Sequence, residues 1–165
     1  MTETAEDKNK EISNAIAGVS NVIIASTHDA FVKMTNVEIE RKSVVAIARN
    51  RPLYDVTSVI SLTGDLNGTV CLSMTNETVL AMAHRMMGME FTEVDELVAS
   101  CVSEFANIIA GSSKMALSHL NMDIGLPSII RGKECIIDFP CLAQPLCVNY
   151  ECELGPFLVV FGFAS

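Results

Sequence analysis

Ile12, Ile16, Val19, Ile23, Thr27, Phe31 and Met34 recur at three- and four-residue steps. That spacing predicts a long helix with one buried stripe. The ten residues before it, MTETAEDKNK, are polar and read as a frayed leader. Gly18 is a candidate break, and Asn36 marks the exit. The pattern then changes to alternation. VEIERKS, 37–43, reads as a strand with one wet face, and a second strand follows the Arg51-Pro52 corner over about 53–64. Asp65-Leu66-Asn67-Gly68 is a turn, and TVCLSM, 69–74, returns as the other arm of a hairpin.

Two helices come next. Thr75 or Asn76 caps ETVLAMAHRMM, and Gly88 ends it. Thr92 with Asp95 three residues on makes a capping box with the shorter acid, opening a helix over about 93–118. Glu93, Asp95 and Glu96 suit the positive end of its dipole. Leu97, Cys101, Phe105, Ile108, Ser112 and Met115 form its expected buried stripe, widened by Ile109 and Ala116. The remaining chain reads as strands: ECIIDF at 134–139, then about 144–154 and 157–163, with Gly155-Pro156 between the last two. Pro140 and Pro145 place their surroundings near a sheet edge or a bulge. Helix, strands, two helices, strands predicts an α+β domain, with a largely antiparallel sheet and helices packed on one face. FLVVFGFA is apolar on both alternating faces. Such a strand is either covered twice or used between subunits, which makes an oligomer an expectation.

Composition narrows the function. The chain has 165 residues, enough for one domain, and half are hydrophobic, which excludes general disorder. Twenty acids against 11 bases give a net charge of −9, unsuited to nucleic acid. There is no uninterrupted apolar run of membrane-spanning length, and the leader lacks an apolar signal core, so a cytoplasmic protein without a membrane partner is expected. The six cysteines, Cys71, Cys101, Cys135, Cys141, Cys147 and Cys152, have no CxxC spacing and read as buried thiols rather than disulfides or zinc ligands. His28, His84 and His119 are far apart and form no ligand motif.

The candidate chemistry lies on the second stripe of the 93–118 helix: Ser100, Glu104, Asn107, Gly111 and Lys114. Glu104 can pair with a partner's cation. Asn107 offers a donor and an acceptor and can hold a water without transferring a proton itself. Gly111 costs about 1 kcal/mol against alanine in a helix interior, which suggests a close approach there. No nucleophile stands beside a base, and no carboxylate pair or phosphate loop is present, so a free-standing hydrolase is not legible. From the residues alone a solvated face remains the simpler reading. EISNAIAG repeats the spacing with Glu11, Asn14 and Gly18, as a coincidence or a degenerate copy.

SCVSEFANIIAGSSKMALS resembles the signature helix of the CheX branch of the CheC/CheX/FliY chemotaxis phosphatases: an acid, two residues, an asparagine, then a glycine after three more. DVTSVISLTGDLNGTVCLSM resembles the family's hairpin before the helices, GLPSIIRGKECII the proline-containing segment after them, and NVIIASTHDAFVKMTNVEIERK the opening helix and strand. The resemblance spans about residues 20–163 and sets off 1–19 as a polar leader and helix extension from a CheX-like domain over 20–165. It implies hydrolysis of the aspartyl-phosphate of a CheY-like response regulator. Glu104 would anchor the regulator's active site and Asn107 would position the attacking water. Ser100, Gly111 and Lys114 would support docking. The chain would bind no cofactor, Mg2+ coming with the regulator. The family further implies a homodimer joined through the sheets. A non-catalytic regulator-binding or motor-switch adaptor of the same fold is the alternative. The acidic leader and the extra Glu11/Asn14 spacing depart from the family pattern.

Overall fold

The computed structural model describes residues 4–139 and 144–164. Pro140 and Cys141 lie outside these. Helix α1 runs unbroken over Ala5–Thr35, capped by Thr4 and closed by Asn36 in the left-handed conformation. The expected frayed leader is therefore helical from Ala5. Thr4 and Asp7 form a capping box that satisfies the first free N–H groups. Gly18 is a continuous helical residue and breaks nothing. Among α1 residues the first fully buried side chain is Val19, so the preceding turns largely face solvent. By length and composition α1 could cross a membrane. Its buried residues, among them Val19, Ile23, Ala30 and Phe31, instead belong to the domain core.

The strands are β1 (Glu40–Ala46), β2 (Val56–Gly64), β3 (Asn67–Met74), β4 (Met122–Ile124), β5 (Ser128–Arg131), β6 (Leu146–Glu151) and β7 (Phe157–Ala164). Helix α2 spans Asn76–Met87 and α3 Glu96–Ala116. One antiparallel sheet runs β1-β6-β7-β3-β2-β4, with β5 also on β2. The β2–β3 hairpin pairs Val56 with Met74 and Leu62 with Gly68. Gly64 has φ +121°, and a Cβ there would stand 2.1 Å from the Asn121 carbonyl oxygen, so glycine is required.

Alternation sorts the sheet's side chains between two cores. Val56, Ile60 and Leu62 of β2 and Phe157, Val159 and Phe161 of β7 meet the helices. Cys71, Cys147, Leu158 and Val160 point to the opposite face, where Ile47, Leu53 and Phe139 cover them. β7 is thus buried on both faces within one chain, which accounts for its unbroken apolar run without a second subunit.

One expectation fails here, and two strands form that the sequence pattern does not predict. ECIIDF forms no strand; its sheet-like contact is one bridge from Ile136 to Pro52, and Phe139 is spent covering the second core. β4 and β5, in contrast, had not been expected. They are three and four residues long, too short to show a period, and the pairing with β2 is what defines them.

Candidate functional site

Helix α3 begins one turn later than the Thr92 reading. Asp95 is the N-cap, and its carboxylate accepts from the Val98 N–H at 2.9 Å. The buried stripe is Val98, Cys101, Val102, Phe105, Ala106, Ile109, Ala110 and Ser113. This corrects the expected one. Leu97 and Met115 are 42% and 75% exposed, because the helix is rotated to seat Phe105 and the small Ala106 and Ala110 against the core. Phe105 meets Phe31 edge-on at 5.4 Å, Phe31 stacks on Phe157 at 4.9 Å, and Phe157 stacks on Tyr150 at 4.9 Å. This aromatic series ties α3 through α1 to the sheet directly beneath the candidate site.

All five residues of the second stripe, Ser100, Glu104, Asn107, Gly111 and Lys114, are exposed. Glu104 and Asn107 are one near-turn apart, about 60° around the axis and about 4.5 Å along it. Among the described residues neither side chain has a hydrogen bond or ion pair. The other members are partly engaged. The Ser100 hydroxyl donates to the Glu96 carbonyl at 2.8 Å, and Lys114 pairs with Asp123 at 3.5 Å. A Cβ on Gly111 would meet nothing within 4 Å. The close approach expected there is not made by any of the described residues. Gly111 instead borders an open hollow of about 380 Å³ with Lys114, Met115, Ser118, Asn121 and Asp123.

The helix is pinned at both ends to the sheet edge. Arg131 donates to the Val94 carbonyl at 3.0 Å and to the Glu96 carboxylate at 2.7 Å, and Lys114–Asp123 closes the other end. Arg131 and Asp123 carry no signal of their own in the sequence: each lies on a short edge strand, and although Arg131 falls within GLPSIIRGKECII, nothing in that segment singles it out. The arrangement can do one thing well. It exposes an acid and an amide side by side, without partners among the described residues, on a helix tied to the sheet edge at both ends. It offers no general base with a bonded nucleophile. Among the described residues no group of three or more His, Cys, Asp or Glu is placed to hold a metal ion. The five described cysteines are free thiols; Cys71, Cys101 and Cys147 are buried as expected, while Cys135 and Cys152 are only half-buried. Glu11, Asn14 and Gly18 are exposed too, on the overhanging start of α1.

Residues 56–151 match the sequence model of the family described as Chemotaxis phosphatase CheX. The CheY-P phosphatase CheX of Thermotoga maritima is 29% identical over 121 residues, covering 72% of this chain and 78% of that protein. A chemotaxis protein CheX from Desulfovibrio desulfuricans superposes with a TM-score of 0.80 at 21% identity, over 88% of this chain and 98% of its own. The CheX of the CheX–CheY–BeF3–Mg2+ complex from Borrelia burgdorferi does so with a TM-score of 0.74, also at 21% identity, over 88% and 97%. At these identities the two structures establish the shared fold.

Proposed function

The chain belongs to the chemotaxis phosphatase CheX family, and from that premise we propose that it hydrolyses the aspartyl-phosphate of a CheY-like receiver domain. The observation that carries this reading is the pair Glu104 and Asn107, exposed and without partners among the described residues on a helix held at both ends.

Glu104 docks by pairing with a cation in the receiver's phosphorylation pocket. Asn107 enters beside the phosphoryl group, where its carboxamide orients a water in line with the bond to be broken. The water oxygen bonds to phosphorus as the phosphorus–oxygen bond to the aspartyl group breaks. The electron pair stays on the aspartate, and the water's protons remain with the departing inorganic phosphate or solvent. A base is not required, because the receiver and its Mg2+ already polarise the phosphoryl group. The relatives support the partner: one is a CheY-P phosphatase, and another is bound to CheY with BeF3 and Mg2+. A cytoplasmic homodimer joined through the sheet belongs to the same proposal. Val44 and Val45 are exposed on the edge strand β1, and sedimentation equilibrium of the purified chain decides the assembly.

The test is the decay of a phosphorylated receiver domain with the wild-type chain and with Asn107→Ala, Glu104→Ala and Asn14→Ala. Loss of positioning in Asn107→Ala slows the accelerated decay by about 100-fold or more while binding is kept. Glu104→Ala weakens binding, and Asn14→Ala behaves as wild type. Binding without accelerated decay by the wild-type chain would move the assignment to an adaptor.

A further inference from the structure

The two ion pairs that pin α3 also set its alignment with the sheet edge. Glu96 pairs with Arg131 and Lys114 with Asp123, so the edge segment 123–131 runs antiparallel to the helix. From 96 to 114 the helix rises about 27 Å. The register puts Asp123 opposite Thr63 and Arg131 opposite Val56, so the bulged edge segment covers seven β2 spacings, about 23 Å. The two lengths agree within about 4 Å, so positions can be matched proportionally along them. Leu126 falls opposite the Ile60–Ser61 step, a little over a third of the way from Asp123 to Arg131, and the same fraction of α3 back from Lys114 falls at about Asn107.

At this level the edge strand is bulged. β2 pairs Leu62 with Ile124 and Val59 with Ser128, so two β2 residues face the three residues Gly125, Leu126 and Pro127. The Gly125 N–H is still held by the Ser61 carbonyl at 2.9 Å, which keeps the bulge on the sheet. Leu126 is 90% exposed. A lone exposed leucine is ordinary. One carried on a fixed edge bulge, level with the presented carboxamide, is a placed feature, since bulges re-aim side chains beside functional sites.

We infer that Leu126 is a docking residue for the receiver domain: an apolar lip that presses on the apolar surface beside the phosphorylation pocket while Glu104 and Asn107 enter it. This rests on the phosphatase reading and deepens it. The occupant is the receiver because Leu126 stands level with Asn107 on the edge that the Glu96–Arg131 and Lys114–Asp123 pairs tie to α3, the helix whose exposed stripe the proposed reaction turns toward the receiver.

The test measures binding of a BeF3–Mg2+-activated CheY receiver domain and the decay of the phosphorylated form, with wild type, Leu126→Asp, Leu126→Ala and Asn107→Ala. Sedimentation runs on the same samples. Leu126 packs against little, so both substitutions leave the fold intact. Leu126→Asp is expected to raise Kd and KM at least tenfold with kcat unchanged, and Leu126→Ala to raise them less. Wild-type binding and decay in Leu126→Asp, with decay abolished in Asn107→Ala, overturns the lip and leaves the phosphatase reading standing. Unaltered receiver binding with a changed self-association mass assigns the lip to a second copy of the chain and equally overturns the inference. Wild-type chain that does not hasten decay defeats the phosphatase reading and the lip together.

Discussion

Gly111→Ala separates what the helix needs from what its partner needs. Gly111 sits inside α3, on its exposed side, and a Cβ there would meet nothing within 4 Å. No clash offsets the gain in helix propensity, so the substitution should stabilise the fold by about 1 kcal/mol. For a chain of this size that raises Tm by about 3 °C. The same methyl intrudes on the docking face one turn beyond Asn107, where the glycine leaves the surface open. A misfit of one methyl in a close contact costs about 1 kcal/mol or more, or about a fivefold to tenfold loss of receiver affinity. Calorimetry and receiver titration on the same preparation read the two effects. A Tm that falls would refute the account of Gly111 as an unobstructed helix interior. A Tm that rises with affinity unchanged would show that no partner approaches this position.

Two further outcomes follow from the core. Among the described residues the buried Ser58 hydroxyl has no hydrogen-bond partner, and it lines a cavity of about 30 Å³ beneath α3, beside Ala106, Ile109 and Ala110. Ser58→Ala should raise urea-unfolding stability by about 1 kcal/mol, and a loss of that size would reveal a bound water that the hydroxyl serves. Burial pushes the Cys71 thiol up to about 12 from an ordinary 9.0. The unfolded chain therefore releases this proton first, so Cys71's contribution is complete below about pH 9 and is lost as pH rises towards 12. Chemical denaturation at stepped alkaline pH should show Cys71→Ala flattening that decline, and an equally steep decline in the variant would locate it elsewhere.

Periodicity along the chain was enough for α1, the β2–β3 hairpin, α2 and the presence of α3, because each carries its own signal: a helical period, a turn at Asp65–Gly68, a threonine cap, a closing glycine. It was also enough to place Ser100, Glu104, Asn107, Gly111 and Lys114 together on an exposed face, since spacing by three and four is a local property of a helix. The rotation of α3 was not local. Leu97 and Met115 belong to its apolar register as plausibly as Val98 and Ala106, and only the fit of Phe105 against Phe31 chooses between them.

The edge strands show the same division. IIR and MDI carry no period of their own, and ECIIDF carries a stronger strand pattern than either. Yet β4 and β5 pair with β2 while ECIIDF covers the second core. Pairing is settled by which backbone a segment can reach once the hairpin and the helices are in place, and by which apolar face is still open to water. The chain alone thus determined that Ser100, Glu104, Asn107, Gly111 and Lys114 share one exposed stripe of α3, but not that Leu97 and Met115 are exposed with them. The tertiary structure decided how that helix is turned and what ties its ends, through Arg131 and Asp123, because both depend on contacts between residues far apart in sequence.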